Sequence, residues 1–156
     1  SAPRLRTIVP AMPSATPNEF ISPYQKTGGL VWFARMVRKL RLWDEGKLPP
    51  DYLPYIGRGF DRRCLDFLRI NFDALMERVR QGGSDEEILE WCFQNGYDPS
   101  DTEILVWNEY MIKRGWRDTD APANQFQDYK EKYGLGHRSD ILTFFDFFEV
   151  DEGRKP

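Results

Sequence analysis

The sequence predicts an all-α protein, an irregular bundle of six or seven helices with a proline-rich extended N-terminal arm. Three observations lead there. Apolar residues recur at helical spacing in successive segments, no stretch sustains the period-two alternation of a half-buried strand, and helix start and stop residues follow one another at short intervals. The unequal segment lengths favour an orthogonal or globular bundle over an up-and-down four-helix one.

In chain order, Pro3, Pro10, Pro13, Pro17 and Pro23 stand too close together for a helix or central strand to survive between them, so residues 1–23 read as an extended arm. Phe20, Ile21 and Tyr24 suggest that its later part lies on the domain; a free tail is the competing reading. A single helical domain then fills residues 24–156. Gly28-Gly29 open a long helix over residues 30–45, stopped by Gly46 and Pro49-Pro50. Its wheel is apolar over more than half its circumference, with Arg35, Arg38 and Lys39 on a narrower basic stripe.

A short helix over residues 60–70 carries Cys64, Leu65, Phe67 and Leu68, and Asn71 caps the next, which Gly82-Gly83 end. Ser84 with Glu87, and Ser100 with Glu103, have the spacing of capping boxes for two further helices. A helix over residues 121–133 follows, and Ser139 is read as the cap of the last one.

Composition narrows the function classes. With 156 residues, 40% of them hydrophobic and 15% aromatic, the chain can build a real core and sits far from the disordered regime. A formal charge of −3 gives no long-range attraction for nucleic acid. No apolar run approaches the length of a membrane span and no leader-like h-region is present, so neither membrane nor nucleic acid is expected as a partner. Cys64 and Cys92 belong to no C-x-x-C pair and read as reduced core thiols of a cytoplasmic protein.

The most informative stretch is the C-terminal one, where Arg138, Asp140, Thr143 and Asp146 interrupt a strongly apolar run. On a helix capped by Ser139, Asp140, Thr143 and Asp146 share one stripe. For Asp140 the simplest role is a solvated charge favouring the helix dipole. Asp146 lies between aromatic pairs, so an opposing cation such as Arg35, Lys39 or Arg138 is expected to meet it.

Arg138 has the planar fork that clamps a carboxylate, whether of the protein or of a ligand. His137 has nothing spaced to orient it and reads as a surface turn residue. Trp107-Asn108 is a further oddity: Asn is poor inside a helix, so a tertiary hydrogen bond or a ligand contact must hold it there. The basic stripe can hold an anion or pair with internal carboxylates.

Several other chemistries can be set aside, with a metal held by carboxylates alone the one left open. One His and two separated Cys exclude the usual tetrahedral zinc site, and no nucleophile elbow, Walker loop or Rossmann fingerprint occurs. Gly134-x-Gly136 lacks the strand before it and the third glycine of a phosphate loop, and Asp151-Glu152-Gly153 lacks calcium-loop spacing. No cofactor is called for.

Several motifs together resemble one family: Gly28-Gly29-Leu30, Arg35-Met36 with Lys39, Phe60-Asp61 with Leu65-Asp66-Phe67-Leu68, Trp107-Asn108, and Arg138-x-Asp140-Ile141-x-Thr143-x-Phe145-Asp146 with Asp151-Glu152-Gly153-Arg154. They resemble the bacterial domain of unknown function 5069, over most of the chain from about Gly28. The resemblance implies a small, cytoplasmic, largely helical protein and supplies no activity and no catalytic residue.

From the residues alone, the leading expectation is a domain, or a cofactor-independent enzyme, that binds a small polar or anionic metabolite. Asp146 would be general base and Arg138 anion clamp, with Arg35, Lys39, Trp107, Asn108 and Asp140 around the ligand. The alternative is a non-catalytic protein–protein interaction module in which embedded charges staple the helices together. Oligomeric state is not encoded in any pattern seen here.

Overall fold

The computed structural model describes residues 20–156. The arm expected over residues 1–23 therefore lies mostly outside the described residues. Its described end is packed down: Phe20 is buried against Leu42, Leu48 and Tyr52, with the Tyr52 ring centroid 4.3 Å away.

The described residues form seven α-helices in order: α1 (Phe33–Asp44), α2 (Phe60–Leu68), α3 (Phe72–Arg80), α4 (Asp85–Asn95), α5 (Asp101–Lys113), α6 (Gln125–Lys132) and α7 (Phe144–Asp151). A 3-10 turn over Pro50–Tyr55 joins α1 to α2. Among the described residues the only strand-like pairing is the isolated bridge between Thr27 and Leu30.

Local chemistry sets several of these starts. Ser84 and Ser100 each accept from the backbone N–H three residues on, while Glu87 and Glu103 reach back to the cap N–H, completing both capping boxes. Asn71 accepts from the Ala74 N–H at 3.2 Å. The apolar faces then meet in one large core, in which α1 packs on α3 and α4 and α5 packs on α7. A smaller cluster of Tyr133, Ile141 and Phe147 lies beneath α6. Cys64 and Cys92 are buried free thiols, and burial pushes the Cys92 thiol up to about 12.

Three helices begin later than the sequence pattern predicts, two of them, α1 and α7, because a side chain from another element claims the backbone. Residues 30–32 stay outside α1. Asn108 accepts from the Val31 N–H at 3.0 Å and donates to the Gly29 carbonyl at 2.8 Å, and the Trp107 indole donates to the Val31 carbonyl at 3.1 Å. The tight turn this produces runs through Gly28 and Gly29 at φ 54° and 83°, and a Cβ on Gly28 would meet Leu89 Cδ2 at 2.5 Å.

At the other end, Thr143 and not Ser139 caps α7, accepting from the Asp146 N–H at 3.2 Å. The buried Lys130 ammonium donates to the carbonyls of Arg138 and Ile141, at 2.9 and 3.1 Å, and so takes acceptors that a longer helix would use. Helix α6 also starts late, after Pro122, whose carbonyl accepts from the Gln125 N–H.

Candidate functional site

Arg35 and Lys39 lie one turn apart on the inner face of α1, and both are buried. Such cations need carboxylates. Arg35 donates to both oxygens of Glu152, at 2.8 and 2.6 Å, and to the Ile21 carbonyl at 3.1 Å. Glu152 also accepts from the Tyr52 hydroxyl at 3.0 Å and from Arg154, whose Nε binds Glu149 at 2.6 Å. The guanidinium of Arg35 lies 4.7 Å from the centre of the Phe148 ring and 5.4 Å from that of Trp32.

Lys39 donates to Asp61 at 2.9 Å, and Asp61 also accepts from the Trp32 indole at 2.9 Å and the Gly57 N–H at 3.1 Å. These contacts decide the charge states. Burial works against charge on Arg35 and Glu152, yet their mutual attraction wins, leaving the Arg35 pKa raised and the Glu152 carboxyl below its ordinary range. For Lys39, burial and then Arg35 outweigh Asp61, and its pKa falls below the usual lysine value.

Beside this network is a hollow of about 60 Å³. Trp32, Tyr55, Phe60, Tyr129, Tyr133 and Phe148 supply its aromatic lining. Arg35, Lys39, Asp51, Arg58, Asp151 and Glu152 supply the charged part. Burial raises the Tyr129 hydroxyl well above its ordinary value, so it stays protonated and available as a donor. Two buried guanidinium nitrogens of the network have no acceptor among the described residues, Nε of Arg35 and Nη1 of Arg154, and of these two residues only Arg35 lines the hollow.

The sequence-predicted residues separate. Arg35 and Lys39 come together at the hollow, but facing Glu152 and Asp61 and not Asp146. Trp107 and Asn108 are buried on α5 and hold the Gly29–Val31 turn, so the tertiary hydrogen bond is the reason for that asparagine. Arg138 and Asp140 form a two-pronged pair with each other, both bonds 2.8 Å, in which the Asp140 side chain is 66% exposed. The hydrogen bonds from Arg138 pull the Asp140 carboxyl down to about 2. Because α7 starts at Phe144, Asp140 is off the helix and shares no stripe with Asp146.

Asp146 accepts from the Tyr24 hydroxyl at 2.6 Å and has Lys155 at 3.5 Å. No hydrogen bond or ion pair joins it to Arg138 among the described residues, and neither of the two lines the hollow. Sequence reasoning missed Glu152 and Asp61. The available signal was the pair of cations on a mostly apolar wheel, which demands two buried carboxylates without saying which.

The family model described as Domain of unknown function (DUF5069) matches residues 18–154. The chain belongs to this family. The DUF5069 match covers α1 through α7 and thus the whole Arg35 network, and its description names no ligand or reaction. No curated protein matches the chain. No helix among the described residues of this DUF5069 domain is long and apolar enough to cross a membrane, and none of their His, Cys, Asp and Glu side chains cluster in a way that could hold a metal ion.

Proposed function

We propose that this domain binds a small polar or anionic metabolite in the cytoplasm, with the polar end of the ligand in the hollow beside Arg35. One observation carries the reading. A guanidinium fixed by Glu152 keeps a buried Nε–H without an acceptor where its side chain lines a cavity, and such a group costs about 1–3 kcal/mol if left unpaired. A ligand oxygen supplies the missing acceptor, and the surrounding tyrosine hydroxyls supply orientation. A cytoplasmic setting fits two buried, unlinked thiols.

The reading is one of binding. Lys39 is committed to Asp61 and Glu152 to Arg35, and the earlier candidates for base and clamp, Asp146 and Arg138, line no part of the hollow. Thermal-shift and calorimetric titration against small carboxylates, phosphates and sugars tests it. A true ligand at a hundred times its Kd adds about 2.7 kcal/mol of stability. Arg58→Ala, at an exposed lining position, should weaken that ligand without lowering the unliganded melting temperature. The idea fails if no compound shifts the wild type, or if Arg58→Ala binds the active compound as well as wild type does.

A second reading, a protein-interaction face, is favoured by a different surface. Leu105, Val106 and Trp116 are 61%, 62% and 49% exposed along and just beyond α5, whose buried residues Trp107, Asn108 and Met111 face the core instead. Sedimentation of wild type and Leu105→Glu tests it: concentration-dependent association lost in the variant supports the face, and a wild type that stays monomeric and binds no partner removes it.

A further inference from the structure

Tyr55, Phe60, Tyr129 and Phe148, which line the hollow beside Arg35, also line a second and larger one of about 530 Å³. That size falls in the range of roughly 300–1,000 Å³ common to small-molecule pockets. Phe144 adds a further ring, edge-on to Phe60 at 5.6 Å, to Tyr129 at 5.2 Å and to Phe126 at 4.7 Å. The rings hold one another in place, so an aromatic surface is presented to the groove without further ordering.

The charges around this surface are biased. Arg63, Arg114 and Lys132 line the groove against one carboxylate, Asp128, although the chain as a whole carries −3. Arg114 is taken by Asp120 at 2.7 Å and Asp118 at 3.4 Å, and Asp128 accepts from Asn124 at 2.8 Å. Arg63 reaches Asp120 only at 3.3 Å, and its side chain is half exposed. Lys132 has its ammonium 5.4 Å from the centre of the Tyr133 ring and no ion pair among the described residues. Lys132 and Arg63 are thus the two cations with donors to spare at the edge of an aromatic floor.

We infer that this groove is a binding site for a planar aromatic carboxylate, its ring against Phe60, Phe144 and Tyr129 and its acid group at Lys132 and Arg63. A flat ring gains face and edge contacts that a puckered ring of equal size cannot make. The acid group gains two cations that a neutral analogue leaves unused. The site shares a wall of rings with the Arg35 hollow but not its cations, since neither Lys132 nor Arg63 lines that cavity.

Calorimetry on the full chain with 2-naphthoate, 2-naphthamide and cyclohexanecarboxylate tests the inference. The naphthoate should bind at least about tenfold more tightly than either control, a difference of about 1.4 kcal/mol. Its affinity should fall as salt rises. The double variant Lys132→Ala with Arg63→Ala should lose about tenfold in naphthoate affinity while keeping its melting temperature, because both side chains are exposed. Absence of naphthoate binding, equal binding of all three probes, or an unaffected double variant each overturns it. None of these outcomes touches the Arg58→Ala test of the first hollow.

Discussion

Glu152 joins several elements at one buried point: it neutralises Arg35, takes a hydrogen bond from Tyr52 and meets Arg154, all while 3% exposed. Removing it leaves Arg35 charged in an apolar surrounding, so Glu152→Ala should cost about 3–5 kcal/mol in denaturant unfolding. A matched apolar pair, Arg35→Met with Glu152→Leu, should cost less than either single change, because no charge is left buried alone.

The pH sign follows from the same contact. The folded Glu152 carboxyl lies below its unfolded value, so its contribution is complete above the ordinary glutamate range and disappears as pH falls through the lower folded value. Acid unfolding of Glu152→Gln should therefore be less steep in that window than that of wild type. The same slope in both would place the acid sensitivity elsewhere.

At the scale of elements, caps and claimed backbones decide where helices begin. Ser84→Ala and Ser100→Ala each break a capping box and should cost about 1 kcal/mol, read from denaturation midpoints. Asn108→Ala strips the Val31 N–H and the Gly29 carbonyl of their partner and should cost about 1–3 kcal/mol, with faster hydrogen exchange at Val31 as its local mark. Lys130→Met should act similarly on the carbonyls of Arg138 and Ile141, destabilising the approach to α7. A Lys130→Met protein as stable as wild type would mean that those carbonyls find other partners.

Legibility divides along the same line. Asn71, Ser84 and Ser100 were readable because a cap and its target lie within one turn of chain. The starts of α1 and α7 were not. Val31 is held by a residue 77 positions away, and no local pattern announces that a lysine of α6 will turn inward onto the loop before α7. The stripe expected of Asp140, Thr143 and Asp146 does not form for that reason alone: α7 starts one turn later than the chain pattern predicts, at Phe144.

Taken together, the described residues form seven α-helices around one large core, with a charged hollow and an aromatic groove sharing a wall of four rings. The helical class, the capped starts, the burial of both cysteines and the need for Arg35 and Lys39 to meet a partner were all legible in the chain, because each follows from spacing along one helix or from residue chemistry. Which partners they meet was settled by the packing of helices. Arg35 and Glu152 are 117 positions apart and Lys39 and Asp61 22 apart, and pairing across such distances depends on how whole helices pack, which no periodicity records. For the same physical reason Arg138, chemically as able to clamp an anion as Arg35, ends at the surface holding Asp140: the fold, and not the residue type, selects which cation faces a cavity.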